Sequence, residues 1–226
     1  MTDNALLEAE VFDRLFEAEV FERLFGDSSY HYDLVAGTVT NAAHTRIIYL
    51  STDILRGIYE ALEYEAGAAW RVILHSCGYL WGKNVFGLLE KEFKAITGGD
   101  LRKQTVSGYL RTLEQYFTLH GWGKLAIYLD DAPHSGFVRV SLEHSLFADA
   151  LNHVSEPVDD MIAGMLRGFF EKISGQTLGC VEAVCVRQGA PRCEFLISGV
   201  ARIQALEPLL SKHAPLEVVL AQLRQH

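Results

Sequence analysis

The strongest constraint in this chain is a helix that shows two different faces. After Glu156-Pro157, the residues Val158, Met161, Ile162, Met165, Leu166 and Phe169 repeat at three- and four-residue steps. That spacing makes one apolar stripe on an α-helix. Asp160, Gly164 and Gly168 recur at four-residue steps on another side. A stripe of glycines is smooth, so a second backbone can approach it closely. The pattern predicts a helix packed on both sides, inside a layered domain.

Around this helix the apolar period changes with position. Tyr30 to Val35 and Arg46 to Leu50 read as strands around a polar turn at Thr40 to Ala43. Ser51 is placed to cap a helix with Ile54, Leu55, Ile58 and Leu62 on its apolar stripe. Helical spacing resumes after a break near Gly67 and runs to about Ala95, and Ser107 opens another helix. From Gly123 the period is two: Lys124 to Leu129 and Phe137 to Leu142 flank a hairpin turn in which Asp130 and Asp131 read as solvated. Thr177 to Arg187 and Cys193 to Ser198 are two more strands, joined by a turn at Gln188 to Pro191, and two short helices follow. The expected architecture is α+β, an antiparallel sheet with helices packed on it. One domain over residues 27–226 carries an N-terminal helical extension over residues 1–26.

That extension holds a near-repeat, AEVFDRLFE at Ala9 and AEVFERLFG at Ala18. A nine-residue offset at about 100° per residue is roughly two and a half turns, which puts the two apolar sets on opposite sides of one helix. Two readings stand: an arm bridging its own domain and a partner subunit, or two short helices broken near Glu17–Ala18. No apolar stretch reaches the length of about 18 residues that spans a bilayer. The acidic N-terminus is not a secretory signal, so a cytoplasmic location is expected. The chain carries 20 Lys and Arg against 29 Asp and Glu, a formal charge of −9. An acidic balance of that size argues against nucleic acid as a partner.

Three of the four cysteines, Cys180, Cys185 and Cys193, fall within 14 residues, with Glu182 among them. Thiolates and a carboxylate suit zinc, and two sulfurs on facing strands of a hairpin converge readily on one ion. Small cysteines in strands are also common core residues. The spacing lacks the paired Cys-x-x-Cys knuckles of a zinc ribbon, so it leaves both readings open. His75 and Cys77 lie two apart on a helix and face different ways, so they cannot share a metal. His144 and His153 lie in a polar connection and read as solvated.

The run Glu156-Pro157-Val158, the helix with Gly164 and Gly168, and then Glu182-x-x-Cys185-x-x-x-Gly189-x-x-x-Cys193-x-Phe195 resemble the 4-vinyl reductase domain family. Upstream, Glu65-x-Gly67, Gly78 and Trp81-Gly82 fit the same pattern. That family includes the sensor domains of phenol-responsive activators and shares its fold with subunits of vesicle-tethering complexes. In metal-binding relatives zinc is held by a Cys just after the Pro-Val step, then by Glu, Cys and Cys. By position the resemblance implies Asp159, Glu182, Cys185 and Cys193 as the ligands of a structural zinc. Asp159 stands where the family has Cys, and Cys180 is the alternative source of a sulfur.

The resemblance also implies an apolar pocket for an aromatic or other hydrophobic ligand. Candidate wall residues are Trp70, His75, Trp81, Tyr109, Tyr116, Phe117 and Phe170, each with a bland reading as ordinary core. The expected function is a non-enzymatic module, a homodimer with protein partners, that carries or senses a hydrophobic small molecule. A tetrapyrrole or its precursor, used in pigment–protein assembly, is its most specific form. Two alternatives stand beside it: an enzyme or accessory factor in reduction of the vinyl group of a chlorophyll precursor, and an adaptor with a structural or lipid-filled pocket. No nucleophile elbow, phosphate loop or dinucleotide fingerprint is present to support catalysis.

Overall fold

The computed structural model describes residues 30–225, so the reading of residues 1–26 as a helical arm lies outside the described residues. The elements run β1 (Tyr30–Asp33), β2 (Thr38–Asn41), β3 (Arg46–Ile47), α1 (Thr52–Ala66), α2 (Trp70–Thr97), α3 (Val106–Leu119), β4 (Lys124–Tyr128), α4 (Ala132–Ser135) and β5 (Val138–Glu143). They continue with α5 (Leu146–Ala150), α6 (Asp160–Ser174), β6 (Leu178–Val184), β7 (Cys193–Gly199), α7 (Val200–Gln204), α8 (Glu207–Leu210) and α9 (Leu216–Arg224). The described residues divide into two units. The smaller takes the chain up to Tyr49 together with Leu88–Thr105, and the larger takes Leu50–Gly87 and the chain from Val106 onward.

The larger unit is built on an antiparallel sheet in the order β4-β5-β7-β6. Register pairs Val140 with Phe195 and Leu142 with Cys193, and Glu182 with Phe195 and Cys180 with Ile197. Directly paired residues share a face, so Cys180, Glu182, Cys193, Phe195 and Ile197 all lie on one side. α6 packs on β6 and β7. On the opposite face Phe137 and Leu196 form a second core with Leu206, Val219, Leu220 and Leu223 of the C-terminal helices. Among the described residues three short helices follow the sheet rather than two, because Pro215 interrupts the run and opens α9.

Both sheet edges are covered by helix carboxylates. Glu114 of α3 accepts the Ile127 amide of edge strand β4 at 2.6 Å. Glu171 of α6 accepts the Leu178 amide of edge strand β6 at 3.0 Å. Each bond removes a donor that would otherwise recruit a foreign strand.

The glycine stripe does what its spacing predicts. A Cβ on Gly164 would lie 2.0 Å from the His75 carbonyl oxygen, and one on Gly168 would lie 2.3 Å from that of Tyr79. The approach is reciprocal: a Cβ on Gly78 would meet the Met161 oxygen at 1.9 Å, and one on Gly82 the Met165 oxygen at 2.1 Å. α2 and α6 therefore cross backbone to backbone over four glycines. The buried stripe of α1 differs from the expected one. Leu55 and Tyr59 are its buried residues, while Ile54 and Ile58 stay about half exposed. Tyr59 satisfies the same three-four spacing with Leu55 and supplies more apolar area, so the helix is rolled toward it.

In the smaller unit β1, β2 and β3 make an antiparallel sheet. Thr40 and Asn41, expected in a turn, belong to β2, because Asp33 closes an earlier turn by accepting the Val35 and Ala36 amides. Asn41 donates its side-chain amide to Glu92, which is buried. Burial raises the Glu92 carboxyl to about 7, against the pull of the Asn41 bond.

Two outcomes follow from these packings. Gly164→Ala or Gly78→Ala forces backbone apart at the crossing and costs about 2 kcal/mol or more in urea denaturation. Gly57→Ala, in a helix interior with nothing near its would-be Cβ, instead adds roughly 0.5–1 kcal/mol. Equal effects at the two sites would contradict the crossing. The raised Glu92 carboxyl means that the folded state binds the extra proton between its unfolded and folded values. Its contribution is complete below about 4.5, falls as pH rises through about 7, and is gone above that. Glu92→Gln flattens this decline and is more stable than the parent at pH 8.5, by up to about 3 kcal/mol, with no advantage at pH 4.5.

Candidate functional site

Four side chains from four separate places in the sequence meet at the start of α6. Asp159 sits at its N-terminal cap, and its amide donates to Glu182 Oε2 at 2.9 Å. Glu182 lies on β6 just before a register shift between Glu182 and Val184. Cys185 closes that strand at the cap of a short 3-10 turn, Val186–Gln188, which ends on Gly189 with φ +86°. Cys193 opens β7. The positive φ of Gly189 suits glycine and turns the chain back, so that Cys193 faces Cys185. One ligand atom from each of Asp159, Glu182, Cys185 and Cys193 lies within 4.8 Å of the others, and all four residues are buried.

The two sulfurs are free thiols 3.6 Å apart. Two thiolates on one tetrahedral zinc, each with a Zn–S bond of about 2.3 Å, lie about 3.8 Å apart. The Val186 amide points at Cys193 Sγ and the Arg187 amide at Cys185 Sγ, each at 3.5 Å. Amides aimed at sulfur stabilise thiolate over thiol. A hydrogen bond from Cys193 holds the Cys185 thiol down at about 6, while that same bond and burial push Cys193 up. Burial raises Asp159 to about 7, and burial followed by the Asp159 charge raises Glu182 well above the usual carboxylate range.

Two atoms show what the site lacks. Asp159 Oδ2 and Glu182 Oε1 are buried without a hydrogen-bond partner among the described residues. Two sulfurs and two orphaned carboxylate oxygens make a donor set that fits Zn²⁺. A divalent cation would satisfy both oxygens and relieve the mutual repulsion of the four acids. Cys180 is buried elsewhere on the same sheet face and does not join the four.

Two supporting residues have no signature in the sequence. Ser145, the cap of α5, donates to Asp159 Oδ1 at 2.6 Å and also accepts the Ala148 amide. Arg71 of α2 bonds the Pro157 carbonyl at 2.6 Å, Glu156 at 2.7 Å and Asp160 at 3.3 Å. Together they fix the segment that carries Asp159.

The seven candidate pocket residues all fall in the larger unit, but they do not form one wall. Trp70 packs its ring near Tyr59, which also meets Phe147. Trp81, Tyr116 and Phe117 gather around Trp122, with centroids 4.5, 5.5 and 5.3 Å from it, and His120 adds a fourth ring at 5.1 Å. Tyr109 joins Phe86 and Phe169, and Phe170 packs on Phe169. His75 belongs to none of these clusters. It bonds the Cys180 backbone, and burial lowers its pKa. The hub, Trp122, carries no sequence signal, because Trp81 of α2 and Tyr116 and Phe117 of α3 reach it only through tertiary packing. Two surface clefts of about 550 and 710 Å³ are lined by none of the seven. His144 and His153 are exposed, as expected. Asp131, expected to be solvated, is instead gripped by Arg224 of α9 at 2.9 and 3.0 Å.

Residues 138–198, from β5 to β7 and including all four ligand candidates, match the family model of the vinyl-4-reductase domain. No curated protein matches the chain. Among solved structures the chain is similar to the phenol-responsive sensory domain of the transcription activator PoxR with phenol. The identity is 18%, the likeness covers 88% of this chain and 98% of that one, and the TM-score is 0.66. It is also similar to a vinyl-4-reductase family protein from Methanocaldococcus jannaschii, with 21% identity, 70% and 86% coverage and a TM-score of 0.45. A trafficking protein particle complex subunit 3 from Naegleria fowleri, covalently bound to palmitic acid, gives 15% identity, 65% and 93% coverage and a TM-score of 0.47. The family match bears out the resemblance read from the sequence, and the first of these structures bears out the fold class.

Proposed function

We propose that this chain, with its vinyl-4-reductase domain, is a non-enzymatic small-molecule-binding module that carries or senses a hydrophobic, ring-bearing ligand. The observation that carries the reading is the fold: the chain reproduces 98% of the length of a sensory domain described with phenol. The aromatic interior supports it, because Trp122 and its four ring neighbours offer edges and faces to a planar guest. A tetrapyrrole or its precursor, in pigment–protein assembly, is the narrower form of the proposal. The module acts as a homodimer through protein contacts; among the described residues no helix is long and apolar enough to cross a membrane.

In this reading Asp159, Glu182, Cys185 and Cys193 hold a structural Zn²⁺. Bound there, the ion supplies charge neutralisation and a cross-link, not a reactive centre. The residues it joins belong to the start of α6 and the β6–β7 connection, so it staples the helix to the hairpin.

Native mass spectrometry of the protein purified from its own host tests both parts. The expected mass is the polypeptide plus one zinc and one organic adduct, whose mass names the ligand. A chain of bare polypeptide mass would overturn the module and leave an adaptor. Titration with phenol is expected to quench intrinsic fluorescence, and Trp122→Phe to weaken the binding about tenfold, or about 1.4 kcal/mol. Cys185→Ser is expected to release the zinc and lower the melting temperature by about 5 °C or more. Chelator should bring the parent down to the same value. Equal melting of parent and variant, with no zinc in either, removes the metal.

A further inference from the structure

A third buried oxygen near the quartet has no partner. Tyr59 of α1 is 3% exposed, and its hydroxyl makes no hydrogen bond among the described residues. A buried hydroxyl without a partner costs about 1–3 kcal/mol. Tyr59 offers one O–H donor, while ionised Asp159 and Glu182 offer only acceptors. The unfilled groups are thus complementary, one donor beside two orphaned acceptors.

The ring cannot turn away to find water. It is packed 5.6 Å from Trp70 and 6.2 Å from Phe147. Both neighbours lead to Asp159. Trp70 precedes Arg71, which bonds the Pro157 carbonyl and Asp160. Phe147 lies two residues beyond Ser145, which donates to Asp159 Oδ1. The ring therefore stands between the two supports of the Asp159 segment. Burial, and after it the charges of Asp159, Asp160 and Glu182, push the Tyr59 hydroxyl upward, so the carboxylates are within electrostatic reach of it.

We propose that Tyr59 is a positioning residue for the metal, its hydroxyl donating directly or through one buried water to a carboxylate of Asp159 or Glu182 in the zinc-bound state. The inference rests on the zinc reading and deepens it. A donor behind a ligating carboxylate fixes its orientation, and losing such a donor typically weakens metal binding about 10- to 100-fold. A water in that place needs two to four polar partners, and these three oxygens supply them.

The test is Tyr59→Phe, which keeps the ring and removes only the oxygen. Zn²⁺ alone is titrated into the full chain against a chromophoric chelator, and the metal-free melting temperature is measured in parallel. The expected result is a Kd for Zn²⁺ raised about 10- to 100-fold, with metal-free melting unchanged or higher. A Kd within about twofold of the parent overturns the inference, whether or not metal-free stability has dropped. The parent and Cys185→Ser separate the two failures. Zinc bound by the parent, lost from Cys185→Ser and held fully by Tyr59→Phe sinks the Tyr59 role alone. No zinc in the parent sinks the metal reading and the Tyr59 role with it.

Discussion

The crossing of α2 and α6 is the contact on which the larger unit depends. Four glycines, Gly78 and Gly82 on one helix and Gly164 and Gly168 on the other, remove every side chain from the line of contact. Helices separated by side chains pack about 8–10 Å apart; here carbonyl oxygens occupy the space a Cβ would need. The consequence is directional. With its glycine side against α2, α6 turns Ile162, Met165, Leu166 and Phe169 inward, and all four are buried. The crossing is pinned at both ends. Arg71 grips Pro157 and Asp160 at one. At the other, the Tyr79 hydroxyl donates to Glu171, which also accepts the Leu178 amide at the sheet edge. The placement of Asp159 is thus fixed by packing before any ligand chemistry enters.

Much of this was readable because it is local. Gly164 and Gly168 announce a close approach by their spacing alone, and the period change at Gly123 marks the sheet. Gly78 and Gly82 were visible as residues but not as partners, since nothing in sequence states which two helices cross. The ligand quartet was readable in the same partial way. Glu182, Cys185 and Cys193 fall on one hairpin, whose register brings their side chains together. Asp159 entered through family resemblance, because its approach to the hairpin depends on the crossing. Ser145, Arg71 and Trp122 are ordinary residues made specific by tertiary neighbours. The same limit explains α1: Ile54 and Ile58 keep a helical spacing as good as that of Leu55 and Tyr59, and only the packed structure distinguishes the two faces.

Two buried carboxylate arrangements in the chain show why the quartet calls for a cation. Glu92 is raised to about 7 by burial, yet Asn41 donates to it, and one proton at most completes the site. A single protonatable group with a neutral partner can resolve its own burial. In the quartet, four acids share one buried volume, and each proton that neutralises one raises or lowers the next. The lowering of Cys185 and the raising of Cys193 by a single shared bond show this dependence. Protonation can cancel the charge there, but it still leaves Asp159 Oδ2 and Glu182 Oε1 without a protein donor among the described residues. One divalent ion answers both demands at once, because it neutralises charge and accepts four donor atoms. The substitution of Asp for a family Cys keeps the formal charge of the set and changes its softness. An oxygen ligand needs hydrogen-bonding support that a thiolate does not, and Ser145 on the other oxygen of Asp159 provides it.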